Sequence, residues 1–125
     1  MVRRAVRAPQ SIPQLVKETS METLSYHHKV PQRADGSKRM AIVGVVASGN
    51  LEVLVERVLP DTHCELDIKT AAEGFGAVWE RVVADFVELR SPGGLRLSVN
   101  DGGARPDTVA LRLAQAVRLI EELEP

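Results

Sequence analysis

Between residues 51 and 58 apolar and polar side chains alternate. Leu51, Val53 and Val55 fall on one side, and Glu52, Leu54 and Glu56 on the other, the period of a strand with one face buried. The same alternation returns at Cys64–Thr70, with Cys64, Leu66 and Ile68 inward and Glu65, Asp67 and Lys69 outward. It returns again at Leu95–Asn100, with Leu95, Leu97 and Val99 inward. A further strand is predicted over Glu22–Val30, where Leu24, Tyr26 and His28 share a face. The segment Arg39–Ala47 is apolar at nearly every position from Ala41 onward, which predicts a strand buried on both faces, as at the centre of a sheet.

Two stretches have the longer period of a helix. From about Ala77 to Leu89, the residues Val78, Val82, Val83, Phe86 and Leu89 recur at three- and four-residue spacing, which predicts an amphipathic helix with that stripe inward. From Pro106 or Asp107 to about Leu123, the stripe is Val109, Leu113, Ala116, Val117 and Ile120. A proline in the first turn loses no needed hydrogen bond there, and a carboxylate meets the positive end of the helix dipole. Ser91-Pro-Gly-Gly94 ends the first helix, and Pro31–Lys38, with its Asp-Gly pair, is a loop. The fold class that follows is α+β: an antiparallel or mixed sheet of about five strands with two helices packed on one face, a two-layer sandwich.

Between the strands at 39–47 and 51–58 lies Ser48-Gly49-Asn50. Gly and Asn adopt positive φ cheaply, so this is a hairpin turn with the small hydroxyl of Ser48 at its tip.

The chain has 125 residues, enough for one domain with a proper core. Aromatic content of 3% leaves few platforms for stacked bases, which argues against nucleic-acid partners. No apolar run is long enough for a membrane helix. A single cysteine, Cys64, forms no internal disulfide, so a cytoplasmic location is expected. Charge divides the chain. Arg3, Arg4, Arg7 and Lys17 against Glu18 alone give +3 over residues 1–20, and the remainder carries −4. Pro9 and Pro13 interrupt that first stretch. Residues 1–20 are therefore expected to be a disordered basic leader, with Met21 an alternative natural start, and 21–125 the functional domain.

Candidate chemistry is sparse. Ser48 lacks the Gly-x-Ser-x-Gly elbow and the strand-turn-helix setting of an α/β-hydrolase nucleophile. The histidines are only His27, His28 and His63, and adjacent residues on a strand point to opposite faces, so His27 and His28 cannot join one metal site. No Cys-x-x-Cys pair is present, and Cys64 reads as a small buried hydrophobe. Neither a catalytic nor a metal residue is therefore assigned. Glu52 and Glu56 read as a solvated strand face. The loop Asn100-Asp-Gly-Gly-Ala-Arg-Pro106 precedes a helix, and its Gly102, Gly103 and Arg105 are a candidate cradle for phosphate oxygens. It has neither Walker nor dinucleotide spacing, and the plainer reading is a tight strand-to-helix connection.

Two of these stretches carry a resemblance. Met21-Glu-Thr-Leu-Ser25 through Val43-Gly-Val-Val-Ala-Ser-Gly-Asn-Leu-Glu-Val-Leu-Val-Glu56, together with Val99-Asn-Asp-Gly-Gly-Ala-Arg-Pro-Asp-Thr-Val-Ala-Leu-Arg-Leu-Ala-Gln-Ala116, resemble the acyl carrier (delta) subunit family of malonate decarboxylase, from about Met21 onward. The resemblance implies a non-catalytic carrier, acting in malonate catabolism, with 2'-(5''-phosphoribosyl)-3'-dephospho-coenzyme A joined to Ser48 by a phosphodiester. Its thiol would hold acetyl, exchanged for malonyl by a transferase subunit, and decarboxylase subunits would then regenerate acetyl. A dedicated prosthetic-group transferase is also implied, because Ser48 follows Ala47 between strands, whereas fatty-acid carriers present Asp-Ser-Leu at a helix start. A citrate-lyase-type carrier subunit, or an interaction module with unmodified Ser48, is the alternative.

Overall fold

The computed structural model describes residues 2–4 and 21–122. The elements in chain order are β1 (Val2–Arg4), β2 (Glu22–Lys29), β3 (Met40–Gly44), β4 (Leu51–Arg57), β5 (His63–Thr70), α1 (Gly76–Arg90), β6 (Leu95–Asp101) and α2 (Pro106–Glu121). The sheet is mixed, in the order β1-β2-β5-β6-β4-β3. Among the described strands the parallel pair is β5–β6, bridged by α1 as a parallel connection requires. Both helices pack on one face, so the α+β arrangement expected from periodicity is present.

Alternation translates directly into burial. Leu51, Val53 and Val55 on β4, Cys64, Leu66 and Ile68 on β5, and Leu95, Leu97 and Val99 on β6 all face the helices and are almost wholly buried. From α2 they meet Val109, Leu113, Ala116, Val117 and Ile120, the stripe its spacing predicts. Removing any one of these larger aliphatics to Ala costs about 2–5 kcal/mol in a core of this kind.

Two expectations are corrected. β3 is an outer strand, not a central one, and it ends at Gly44, whose φ of 86° breaks the extended ladder. Met40 and Ile42 are exposed on it, as are Val45 and Val46 beyond it. The apolar run therefore marks an uncovered surface, and the connection to β4 is a six-residue loop, 45–50. On α1 the buried residues are Trp79, Val83, Phe86 and Val87. Val78 is 40% exposed and Leu89 81%, so the inward face lies about one residue around from the stripe read from spacing. Within the segment expected to be a leader, 1–20, Val2–Arg4 pair antiparallel with Leu24–Tyr26. Residues 1 and 5–20 of that segment lie outside the described residues.

Arg57 locks the loop between β2 and β3 to the end of α2. Its Nε donates to the Lys38 carbonyl at 2.9 Å, Nη1 to Ala34 at 2.8 Å, and Nη2 to Asp35 at 2.7 Å and Ile120 at 3.2 Å. Burial lowers its pKa from the ordinary arginine value, but four carbonyl dipoles satisfy the cation.

Candidate functional site

Strand register assembles the site. In the antiparallel β4–β6 pair Leu51 stands opposite Asp101. The residues just before β4 and just after β6 are therefore neighbours, and these are the Ser48 turn and the glycine loop. The contact is a reciprocal pair of backbone hydrogen bonds. Gly49 N–H donates to the Gly102 carbonyl at 3.0 Å, and Gly102 N–H donates to the Asn50 carbonyl at 2.8 Å.

Each half is held by its own local chemistry. Asn50 N–H donates to the Ala47 carbonyl at 2.9 Å, closing a turn whose third residue, Gly49, has φ 76°, the positive value a type II turn requires there. Asn50 Oδ1 accepts from Leu51 N–H at 2.8 Å and from Arg112 Nη2 of α2 at 3.1 Å. Opposite, the buried carboxylate of Asp101 shapes the glycine loop. Its Oδ1 accepts from Ala104 N–H at 2.9 Å and its Oδ2 from the Thr70 hydroxyl at 2.8 Å. Gly102 is required by space. A Cβ there would lie 2.1 Å from the Ala47 carbonyl oxygen. Gly103 differs: its φ is 97°, and the position a Cβ would take is open space.

Ser48 sits on this base, exposed to solvent. Among the described residues its hydroxyl has no hydrogen-bonded partner that would serve as a general base. Of the three loop residues singled out from sequence, Gly102 spends both backbone groups on the turn. Gly103 and Arg105 border open space, and the Arg105 side chain is 83% exposed, 3.6 Å from Asp107.

Phe75, Val78, Trp79 and Val82 from the start of α1 and Val109 from α2 line a groove of about 390 Å³, with Gly103–Arg105 as its rim. Spacing along the chain does not disclose this groove, although an isolated Trp79 beside Val78 is a signal for it. Nor does it single out Arg112 and Asp101 as supports.

The histidines separate as strand alternation requires. His28 is half-buried on the inner face. His27 lies on the outer face, where its Nε2 is 3.0 Å from His63 Nδ1. No group of three or more potential metal-binding side chains occurs among the described residues. Cys64 is fully buried, and burial pushes its thiol up to about 12.

The family described as malonate decarboxylase delta subunit (MdcD) matches this chain over residues 38–120, a span that includes both halves of the site. The chain belongs to the malonate decarboxylase acyl carrier family. It is 72% identical over 102 residues to the malonate decarboxylase acyl carrier protein of Bradyrhizobium diazoefficiens, covering 82% of this chain and 97% of that one. It is 50% identical over 101 residues to the protein of the same name from Xanthomonas axonopodis pv. citri, covering 81% and 96%. A solved structure of a Pseudomonas malonate decarboxylase hetero-tetramer in complex with malonate contains a chain similar to it. There the TM-score is 0.70 and the identity 32%, over 79% of this chain and 98% of that chain. Between the two carrier families left open by the sequence, the match is to malonate decarboxylase.

Proposed function

We propose that this chain is the acyl carrier subunit of a malonate decarboxylase, and that Ser48 is where its prosthetic group is attached. The observation that supports attachment most strongly is the setting of the hydroxyl. Ser48 is exposed on a turn braced by Gly102, Asn50 and Arg112, while no acid–base partner is hydrogen-bonded to it among the described residues. A rigid root with an accessible oxygen suits a tether, and tethering raises the effective concentration of the cargo at each partner site.

The residues present fit the coenzyme-A-derived group, 2'-(5''-phosphoribosyl)-3'-dephospho-coenzyme A. The space over Gly103 and the exposed guanidinium of Arg105 provide room and positive charge for phosphate oxygens beside the root. Gly102 contributes indirectly by letting the turn approach. When bound, the group supplies a thiol that carries acetyl or malonyl as a thioester. This chain's own part is to hold and present that group, and bond-making belongs to the transferase and decarboxylase subunits. A dedicated transferase loads Ser48. The exposed apolar row Met40, Ile42, Val45 and Val46 leads into the turn and provides a contact face for those subunits. In this reading the carrier works in the cytoplasm. No helix among the described residues is long and apolar enough to cross a membrane.

Reconstitution tests the assignment. The loaded chain, mixed with the transferase and decarboxylase subunits and malonate, is expected to support carbon dioxide release, and Ser48→Ala is expected to abolish it. Release at the wild-type rate with Ser48→Ala would overturn the attachment assignment.

A further inference from the structure

We infer that the groove between the N-terminal ends of α1 and α2 is a resting site for the adenine of the prosthetic group on Ser48. The inference rests on the attachment reading above and adds a binding site to it.

Position comes first. The Ser48 turn is hydrogen-bonded to Gly102, and the next three residues, Gly103–Arg105, form the groove's rim. A group rooted at Ser48 therefore meets the groove immediately across that rim. In the proposed attachment the ribosyl phosphate and adenosine are the parts nearest the root, and the thiol end is the farthest. Docking the adenine leaves the thiol end free to reach partner subunits.

The chemistry of the walls selects the same portion. Phe75 is 51% exposed and Val78 40%, so apolar surface of the groove is open to solvent. Beside them Trp79 and Val82 complete a wall of aromatic and branched side chains, suited to the faces of a flat, uncharged ring. At about 390 Å³ the groove has the volume of a small-molecule site, typically about 300–1,000 Å³. Asp101 is the carboxylate lining it, and both of its oxygens already accept hydrogen bonds. An anion is disfavoured on that floor, whereas a neutral base is not. The diphosphate that follows the adenosine belongs at the rim, where Arg105 is available. Its contact with Asp107 at 3.6 Å is between exposed side chains, a pair weakened by water and readily exchanged for phosphate.

Methyl NMR of the full chain tests this, with intact mass first establishing whether Ser48 is loaded. On loading, the methyl signals of Val78, Val82 and Val109 are expected to show ring-current shifts, and the fluorescence of Trp79, the single tryptophan, is expected to change. Val78→Asp, loaded to the same mass, is expected to lose both effects. Free 3'-dephospho-coenzyme A added to unmodified Ser48→Ala is expected to shift the same methyls at millimolar concentration, the scale that a short tether supplies locally. A chain of loaded mass whose methyl shifts are confined to Ala47, beside the root, would overturn the resting site and leave attachment standing. A chain that never gains the mass would remove the attachment reading, and this inference with it.

Discussion

Gly49 donates its amide proton to the carbonyl of Gly102 at 3.0 Å, so the exposed serine turn and the glycine loop form one structural unit. A Cβ on Gly102 would lie 2.1 Å from the Ala47 carbonyl, and backbone cannot yield as a flexible side chain does. Gly102→Ala is therefore expected to cost about 1–3 kcal/mol and to slow loading of Ser48 by displacing the turn. Gly74→Ala is the control. It meets no atom but must hold φ 87°, and is expected to cost about 1–2 kcal/mol through backbone strain. Denaturant unfolding should give similar losses for the two, while only Gly102→Ala changes the loading rate.

Arg112 braces the same turn from α2 through Asn50 Oδ1 at 3.1 Å, and also holds Gln115 Oε1 at 2.9 Å. Arg112→Ala is expected to destabilise the fold by about 1–2 kcal/mol. Its local signature is faster hydrogen exchange at the Gly49 amide, together with slower loading. Unchanged exchange there would reduce Arg112 to a general packing residue.

The thiol chemistry gives a count. Cys64 is buried, and desolvation, then the charge of Glu65, raises its pKa to about 12, so its thiolate is scarce at neutral pH. The native unmodified chain is expected to show no rapidly reacting thiol. The loaded and deacylated chain is expected to show one, on the arm. Rapid labelling of the unmodified native chain would contradict this burial.

Burial lowers the pKa of His28 from its ordinary 6.5, and its Nε2 makes no hydrogen bond among the described residues. Below about pH 6.5 the unfolded chain takes up a proton there that the folded chain resists. Stability attributable to His28 is therefore present above that pH and lost as pH falls through the folded-state value. The difference in unfolding free energy between the wild type and His28→Gln should move against the wild type between about pH 7 and 5.5. A pH-independent difference would show that His28 does not titrate in this way.

Side-chain alternation made β4, β5 and β6 legible because each has one face against the helices and one away from them. The α2 stripe was legible for the same reason. α1 was harder: Val78, Trp79, Val82, Val83, Phe86 and Val87 cover a wide arc, and spacing alone does not choose its centre. β3 misled because Met40 and Ile42, on one face of this outer strand, are apolar yet exposed, while Ala41 and Val43 on the other face pack against the core. Ser48 and the Gly102–Arg105 loop were each visible as turns. Their contact was not, since it depends on Leu51 standing opposite Asp101, and periodicity reports which face a residue occupies without naming its neighbour.

The proposed role of Ser48 is to anchor the prosthetic group. Intact-mass measurement and peptide mapping of the chain isolated from a cell containing the partner subunits and the dedicated transferase test it most directly. The expected result is one coenzyme-A-derived adduct, joined through phosphate, on the peptide containing Ser48 and absent from Ser48→Ala. A chain of unmodified mass that still supports malonate decarboxylation, or an adduct that maps to another residue, would contradict it.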